Sequence, residues 1–198
     1  MRVKEFRFVR VSDPCDRERW DNWSRAYEYP LVLRALLQLQ SRQEERLRVH
    51  NTGCGGSPLH TAFASEIDRF YEVVNSDMEP VVLPQYPKWP WVPKYRRYNL
   101  LDPYPSNHCF DAVLSISTLE HIEREHTYSI LNHLVMQVKP GGRLLITVDV
   151  PSAGVLDKLE TYFEESCSAM LDELTPFNSV YPSREHSPSR VAWLEVEP

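Results

Sequence analysis

The residues with the clearest chemical meaning lie in segment 47–58, where a short apolar run leads into a glycine-rich turn. Gly53 and Gly55 allow positive φ angles and let the backbone approach a ligand closely. Ser57 can cap the helix that follows, and Pro58 suits its first position. Backbone N–H groups at such a helix start can face a bound ligand. The pattern is typical of a turn that binds a nucleotide cofactor.

The residues after this turn narrow the choice of cofactor. A dinucleotide site has a further glycine that lets helix and strand pack closely, and Pro58 occupies that position here. A nicotinamide dinucleotide is therefore disfavoured. Farther along, Asp77 ends a second apolar run, where its carboxylate could accept hydrogen bonds from both hydroxyls of a ribose. We therefore predict Asp77 as the ribose ligand.

Four ordered blocks within residues 47–150 resemble the class I S-adenosylmethionine-dependent methyltransferases. The order of the blocks carries the resemblance, because each one alone is a weak signal. The blocks are the turn at 53–55, Asp77, segment 109–122 and segment 138–146. The resemblance implies S-adenosylmethionine as the cofactor. It also implies an α/β, Rossmann-like, doubly wound fold with a mostly parallel seven-stranded sheet and an antiparallel C-terminal strand.

The resemblance further implies which residues bind the cofactor. The glycine turn would hold the methionine part, Asp77 the ribose, and the segment before Phe110 would border the adenine. Asn51 replaces the acid that is usual two positions before the first glycine, so its hydrogen bond would lack a charge. Carried over by position, the predicted contacts are Asn51, Gly53, Cys54, Gly55, Ser57, Asp77, Met78, Asn99, Leu100 and Ser117.

Candidate catalytic residues follow from the reaction that this resemblance implies. Methyl transfer is an in-line displacement, and a hydroxyl or amine acceptor gains from a nearby general base. Ligands bind at the carboxyl edge of an open parallel sheet, which selects Glu120, His121 and Asp149. Histidine is a common general base in enzymes, which favours His121. However, relatives with different substrates share this Leu-Glu-His-Ile sequence, which also fits a structural role, and a helix dipole explains Glu120 equally well.

Hydrophobic periodicity predicts alternating strands and helices, which implies a parallel sheet with right-handed crossovers. An extended lead is expected over the first sixteen residues. Five prolines lie between 80 and 93. Because proline has no backbone N–H to donate in a helix interior, an ordered loop is predicted there. That loop could lie over the active site or be a stiff connector on the sheet edge. Strands are predicted near 48–51, 71–75, 96–101, 112–117, 143–148 and 190–196, and helices near 29–42, 58–65, 124–138 and 156–174.

The N-terminal part contains an aromatic group with helical spacing. Trp20, Trp23 and Tyr27 fall three and four residues apart and share one helical face. This face could cover a ring-bearing or sugar-like acceptor, or it could pack on the sheet as core. Arg17 and Arg25 could recognise a carboxylate or phosphate on the acceptor, although exposed arginines are usually only solvated.

Length and composition suit a single domain of 198 residues, with an N-terminal cap (1–46), a cofactor-binding core (47–150) and a C-terminal part (151–198). The net charge of −6 and the dispersed basic residues disfavour nucleic-acid partners. Four cysteines form no Cys-x-x-Cys pair, so neither a disulfide framework nor a metal site is expected. No apolar run reaches the length of a membrane span and no signal-peptide core is evident, so a cytoplasmic location is expected.

These observations together predict an S-adenosylmethionine-dependent methyltransferase with a small-molecule acceptor, such as a sugar or another hydroxylated metabolite. A protein acceptor is an alternative that the negative net charge permits. A non-catalytic binding protein that keeps the fold is a second alternative, motivated by Asn51 and by the missing second helix. The chain is expected to be a monomer or a homodimer.

Overall fold

A computed structural model describes residues 2–8, 24–79, 93–149 and 191–197. In these ranges three α-helices accompany one sheet of seven strands. Two 3-10 turns, at Leu119–His121 and Arg124–His126, lie between the fifth strand and the third helix. In chain order the elements are β1 (Arg2–Phe8), α1 (Arg25–Gln40), β2 (Arg48–Thr52), α2 (Pro58–Phe70), β3 (Glu72–Asp77), β4 (Tyr95–Arg97), β5 (Phe110–Ile116), α3 (Thr127–Gln137), β6 (Val138–Asp149) and β7 (Val191–Glu197).

The strand order in the sheet is β1-β7-β6-β5-β2-β3-β4. Neighbours from β6 to β4 are parallel, whereas β7 runs antiparallel to both β6 and β1. The Rossmann-like α/β class with an antiparallel C-terminal strand is therefore confirmed. From β2 the chain extends the sheet to one side through β3 and β4, and then adds β5 and β6 on the other side. Ligands of open α/β sheets bind where the strand order reverses in this way, which here is between β2 and β5.

Two apolar clusters cover the two faces of the sheet. Side chains alternate between the faces of a strand, so Ala112 and Leu114 of β5 join one cluster and Val113 joins the other. The first cluster includes buried side chains of α1 and α2, and the second includes those of α3. Burial on both faces explains why β5 and the 144–148 part of β6 are largely apolar.

The helix after the glycine turn begins as the sequence predicts. Ser57 has an extended backbone, and its Oγ accepts a hydrogen bond from the His60 N–H at 3.3 Å. Pro58 occupies the first helical position, where its missing N–H costs nothing. Phe63 and Ile67 lie one turn apart and are buried in the first cluster. The cap and the apolar face together fix how α2 leaves the turn.

Several boundaries differ from the sequence predictions, because periodicity does not determine where hydrogen-bonded ladders end. The expected extended lead contains the edge strand β1, which pairs with β7. β4 covers only Tyr95–Arg97 rather than 96–101, and α2 continues to Phe70 rather than ending at 65. α3 begins at Thr127 rather than at 124, since a 3-10 turn precedes it. Trp20, Trp23, segment 80–92 and the predicted helix 156–174 lie outside the described residues.

None of α1, α2 and α3, the helices of the described ranges, combines the length with the apolar character that a bilayer-spanning segment requires.

Candidate functional site

A cavity of about 530 Å³ lies at the carboxyl edge of the sheet, where the strand order reverses. Its wall comes from the ends of β2, β3 and β5, from the first turns of α1 and α2, and from the segment that leads into α3. The lining residues are Arg25, Tyr29, Asn51, Gly53, Cys54, Gly55, His60, Phe63, Asp77, Met78, Tyr98, Asn99, Leu100, Leu101, Ile116, Ser117, Thr118, His121, Ile122, Glu123, His126 and Ile130.

The glycine turn has the backbone that its residue types predict. Gly53 has a φ of 58° and Gly55 a φ of 61°, a region that other residues rarely adopt. A Cβ added at Gly53 would lie 2.2 Å from Cγ2 of Thr118, and one added at Gly55 would lie 2.2 Å from Nδ1 of His60. Both the dihedral angles and the close neighbours therefore require glycine, and the backbone itself forms this wall of the cavity.

Asp77 ends β3 and connects that strand to the glycine turn. Its Oδ2 accepts a hydrogen bond from the Gly55 N–H at 2.8 Å, and its Oδ1 accepts one from the Glu79 N–H at 3.1 Å. A carboxylate offers about four lone-pair positions, so each oxygen can accept a further hydrogen bond. Because Asp77 also lines the cavity, it can orient the turn and contact a ligand hydroxyl at the same time.

Asn51 lies just before the glycine turn and Cys54 lies within it, and both line the cavity. Asn51 is 3% exposed, and its Nδ2 donates to Oδ1 of Asn75 at 3.0 Å. This contact leaves Oδ1 as the acceptor that Asn51 can present to a ligand. The Cys54 N–H donates to the Ser76 carbonyl at 3.1 Å. Burial, together with the Asp77 carboxylate, raises the pKa of the Cys54 thiol to about 12, which agrees with a packing role and not with a nucleophile.

Asn99 and Leu100, which were predicted to border the adenine, lie on the cavity wall with Met78, another predicted cofactor contact. Oδ1 of Asn99 accepts a hydrogen bond from the Leu101 N–H at 3.1 Å, which shapes a tight turn after β4. The Leu100 carbonyl accepts one from Nδ1 of His133 at 3.0 Å, so this histidine of α3 anchors the turn.

Ser117 follows β5 with a φ of 43°, a left-handed conformation that costs energy for a residue with a side chain. Its N–H donates to the Thr147 carbonyl at 3.0 Å, and its Oγ donates to Oε1 of Glu28 at 2.6 Å. Residues held in such conformations cluster at active sites because the surrounding structure has to compensate for the strain. Thr118, the next residue, donates to the Gly53 carbonyl at 3.3 Å and so connects β5 to the glycine turn.

The three candidate catalytic residues differ in their positions. His121 is exposed and lines the cavity, whereas Glu120 is half-buried and does not line it. Asp149 is the last residue of β6, opposite Val191 of β7, and only its backbone is described. Of the predicted cofactor contacts, nine line the cavity and Ser57 does not, because it is taken up in capping α2.

Sequence reasoning missed Tyr29, His60 and Phe63, which line the cavity beside Arg25, a residue considered there only for recognition of the acceptor. The Tyr29 and Phe63 rings are stacked with centroids 4.0 Å apart, and the Arg25 guanidinium lies 5.8 Å from the Tyr29 ring centre. Burial, with the Arg25 charge as a smaller cause, lowers the pKa of His60 to about 4, so its imidazole is neutral at pH 7. One signal was available: His60 lies in the first turn of a helix that starts at a ligand-binding turn. Tyr27, by contrast, is buried in the core.

A second group of polar residues lies beside the cavity. Glu123, Glu125 and His126 each offer one ligand atom, and these atoms lie within 4.8 Å of one another. No spacing in the sequence indicates this group, because the 3-10 turn at 124–126 brings the three side chains together. Both carboxylates are exposed, and exposed acidic groups are common without a metal. The absence of a metal stays a prediction.

The cavity wall fits an adenosine-bearing cofactor. Two positive-φ glycines provide a backbone cradle that a Cβ would fill, and Asp77 stands at the strand end beside it. The turn at Asn99 and Leu100 supplies a partly apolar border for a planar base. The groups at the end of β5, with Ser117 and His121, lie where an acceptor could meet the cofactor.

Comparisons with known proteins agree with this assignment. A family model described as a methyltransferase domain matches residues 50–146, about half of the chain. The CurJ carbon methyltransferase has a similar structure, with a TM-score of 0.60, 11% identity, and coverage of 90% of this chain and 56% of that one. The N-methyltransferase NodS from Bradyrhizobium japonicum gives a TM-score of 0.54 at 12% identity, covering 84% and 94%. A TehB-like S-adenosylmethionine-dependent methyltransferase from Corynebacterium glutamicum gives 0.50 at 14%, covering 86% and 96%.

At these identities the solved structures show a shared fold. The chain spans 56% of the length of CurJ, and 56% and 62% of two further solved relatives. No curated protein sequence matches the chain significantly.

Proposed function

We propose that this chain, which belongs to the class I S-adenosylmethionine-dependent methyltransferases, transfers a methyl group to a small-molecule acceptor. The observation that carries the proposal is the cavity in which the Gly53–Gly55 turn, Asp77 and the end of β5 meet. A sugar or another hydroxylated metabolite is the acceptor class that we favour.

Each part of the cofactor would have a partner in the cavity wall. S-adenosylmethionine supplies, when bound, a methyl group that its sulfonium already activates. Asp77 would accept hydrogen bonds from the ribose hydroxyls, and the backbone of the glycine turn would face the methionine part. Oδ1 of Asn51 would accept a hydrogen bond from the ammonium group, and Asn99 with Leu100 would border the adenine.

The cavity supports a small acceptor through its size and its lining. A volume of about 530 Å³ falls in the range of small-molecule sites, which are mostly apolar with a few placed polar groups. Ile116, Ile122 and Ile130 supply apolar wall beside the polar groups of Ser117 and His121. The fold does not determine the acceptor atom, since CurJ is a carbon methyltransferase and NodS an N-methyltransferase.

His121 is the general base that we favour. Its side chain is exposed at the cavity, where it could accept a proton from a hydroxyl or amine acceptor. Asp149 at the end of β6 is the second candidate, because strand ends share this edge of the sheet. Glu120 is the weakest of the three, since it does not line the cavity.

Isothermal titration with S-adenosylmethionine and S-adenosylhomocysteine tests the cofactor site. We expect micromolar binding by the unaltered chain. Asp77→Asn keeps the size of the side chain but loses charge and one acceptor oxygen, so binding should weaken about 10- to 100-fold. Asp77→Ala should weaken it further. Asp102→Ala removes an exposed carboxylate outside the cavity and serves as the matched control, with unchanged binding.

Incubation of lysate fractions with tritium-labelled cofactor tests the acceptor class. Label in the low-molecular-weight fraction would support a small molecule, whereas label confined to protein would favour the protein acceptor. Cofactor binding without label in any fraction would favour a non-catalytic binding protein. Equal binding by the unaltered chain and by Asp77→Ala would contradict the cofactor site itself.

A further inference from the structure

One buried carboxylate connects α1 to the two strands that end beside the cavity. Glu28 of α1 is 0% exposed. Its Oε1 accepts hydrogen bonds from Oγ of Ser117 at 2.6 Å and from Oγ1 of Thr147 at 2.5 Å. Its Oε2 forms an ion pair with the Arg25 guanidinium. A single side chain thus joins the segment after β5, the strand β6 and the start of α1.

Two of the groups that Glu28 holds belong to the cavity wall. Arg25 and Ser117 line the cavity, whereas Glu28 and Thr147 do not. Ser117 has a left-handed backbone, with a φ of 43°, and such a conformation persists only where its surroundings determine it. Glu28 binds its side chain while Thr147 binds its N–H. The carboxylate therefore contributes to holding a strained residue at the site.

Helix docking alone does not account for a charge at this position. Well-packed apolar residues can replace a buried ion pair with little loss of stability, because desolvation of the charges offsets their attraction. α1 already packs on the sheet through Val32 and Leu36, which are both 0% exposed. The carboxylate instead fixes the positions of the hydroxyl and guanidinium groups that it contacts.

We propose that Glu28 is a positioning residue that holds Ser117 and Arg25 in the cavity wall and thereby sets the affinity for the cofactor. It acts through these two residues and touches no ligand itself. The inference rests on the proposed function, because the ligand whose affinity it sets is the cofactor of that function.

The test is titration of the chain of 198 residues with S-adenosylhomocysteine, combined with urea unfolding of each variant. Glu28→Ala and Ser117→Ala should each weaken binding about tenfold, as expected for loss of a charge-assisted hydrogen bond. The double variant should bind no more weakly than the weaker single variant, because both changes remove the same contact. Glu44→Ala, an exposed acid beyond α1, is the control and should bind as the unaltered chain does.

The outcomes separate a positioning role from a structural one. Lower stability of Glu28→Ala with unchanged affinity would overturn the inference. It would also be overturned if the losses of affinity in the two single variants multiplied in the double variant. Should Glu28→Ala fail to fold, Glu28→Gln keeps an oxygen for the two hydroxyls but loses the charge beside Arg25. A several-fold weaker affinity is expected for it, and affinity equal to that of the unaltered chain would overturn the inference. Absence of binding by the unaltered chain would instead overturn the proposed function, and this inference with it.

Discussion

Within the described residues, two buried polar networks join helices to the sheet, and one of the two reaches the cavity. In the first, His50 of β2 is 0% exposed and lies between Gln137 of α3 and Ser76 of β3. Its Nδ1 is 2.6 Å from Oε1 of Gln137, and its Nε2 is 2.7 Å from Oγ of Ser76. Gln137 donates its Nε2 to the His133 carbonyl, so its Oε1 accepts and His50 Nδ1 carries the proton. Every group is satisfied internally, and none of these three side chains lines the cavity.

The second network, around Glu28, has an ion pair where the first has a neutral imidazole. It also includes Arg25 and Ser117, which line the cavity. Burial of a polar side chain is thus shared by both networks and does not by itself indicate function. The difference lies in what the hydrogen bonds hold: in the first they hold other buried groups, and in the second they hold groups that line the cavity.

The largest expected effect on stability comes from breaking the charged network. Glu28→Ala leaves the largely buried Arg25 without its carboxylate, and breaking such a pair costs about 3–5 kcal/mol of unfolding free energy. Urea unfolding followed by far-UV circular dichroism measures this loss. The exposed Glu44→Ala should change the unfolding free energy by no more than about 0.5 kcal/mol. A loss below about 1 kcal/mol for Glu28→Ala would show that Arg25 is adequately solvated without its partner.

The neutral network around His50 should instead affect how the free energy of unfolding depends on pH. Burial lowers the pKa of His50 from 6.5 to about 4, with the Arg96 charge as a smaller cause in the same direction. Between these values the unfolded chain binds the proton more readily than the folded chain does. The contribution of neutral His50 to the free energy of unfolding is therefore complete above pH 6.5. This contribution, roughly 3 kcal/mol, is lost as the pH falls towards 4.

Urea unfolding at several pH values between 4 and 7 measures this loss, with His50→Gln as the comparison. The variant has no titrating group at this position, so its stability should fall less steeply with acid. It should still fall, because the lowered pKa of His60 has the same sign of effect. Identical slopes in both proteins would mean that the pKa of His50 is the same in the folded and the unfolded chain.

The sequence was sufficient for the part of the site that depends on local structure. Gly53 and Gly55 stand where the backbone needs positive φ, and Ser57 with Pro58 encodes the start of α2. Parallel strands end at one edge, so Asp77 was correctly predicted at the same cavity although it lies 22 residues from Gly55. Residue type and strand order thus predicted residues that line one wall of the cavity.

The charged network could not be predicted in this way. Glu28 lies 89 residues from Ser117 and 119 residues from Thr147, and no periodicity relates contacts at such separations. A glutamate among apolar residues of a helix usually indicates its exposed face, so burial here depends on partners that only the tertiary structure supplies. The edge strand β1 escaped prediction for a similar reason, since it is defined by its pairing with β7.

The smallest expected effect on stability gives the sharpest comparison of the two networks. Ser76→Ala removes the hydroxyl that serves Nε2 of His50, and Ser117→Ala removes the one that serves Oε1 of Glu28. Each change is the same loss of one oxygen atom. It leaves Nε2 of His50 without a donor and removes one of the two donors of Oε1 of Glu28, so each should cost about 1–3 kcal/mol. Titration with S-adenosylhomocysteine should then separate them, since only Ser117 lines the cavity and only its loss should weaken binding. Equal weakening by both variants would mean that the networks are coupled through β3, where Ser76 precedes Asp77, and that the distinction between a structural and a functional network does not hold.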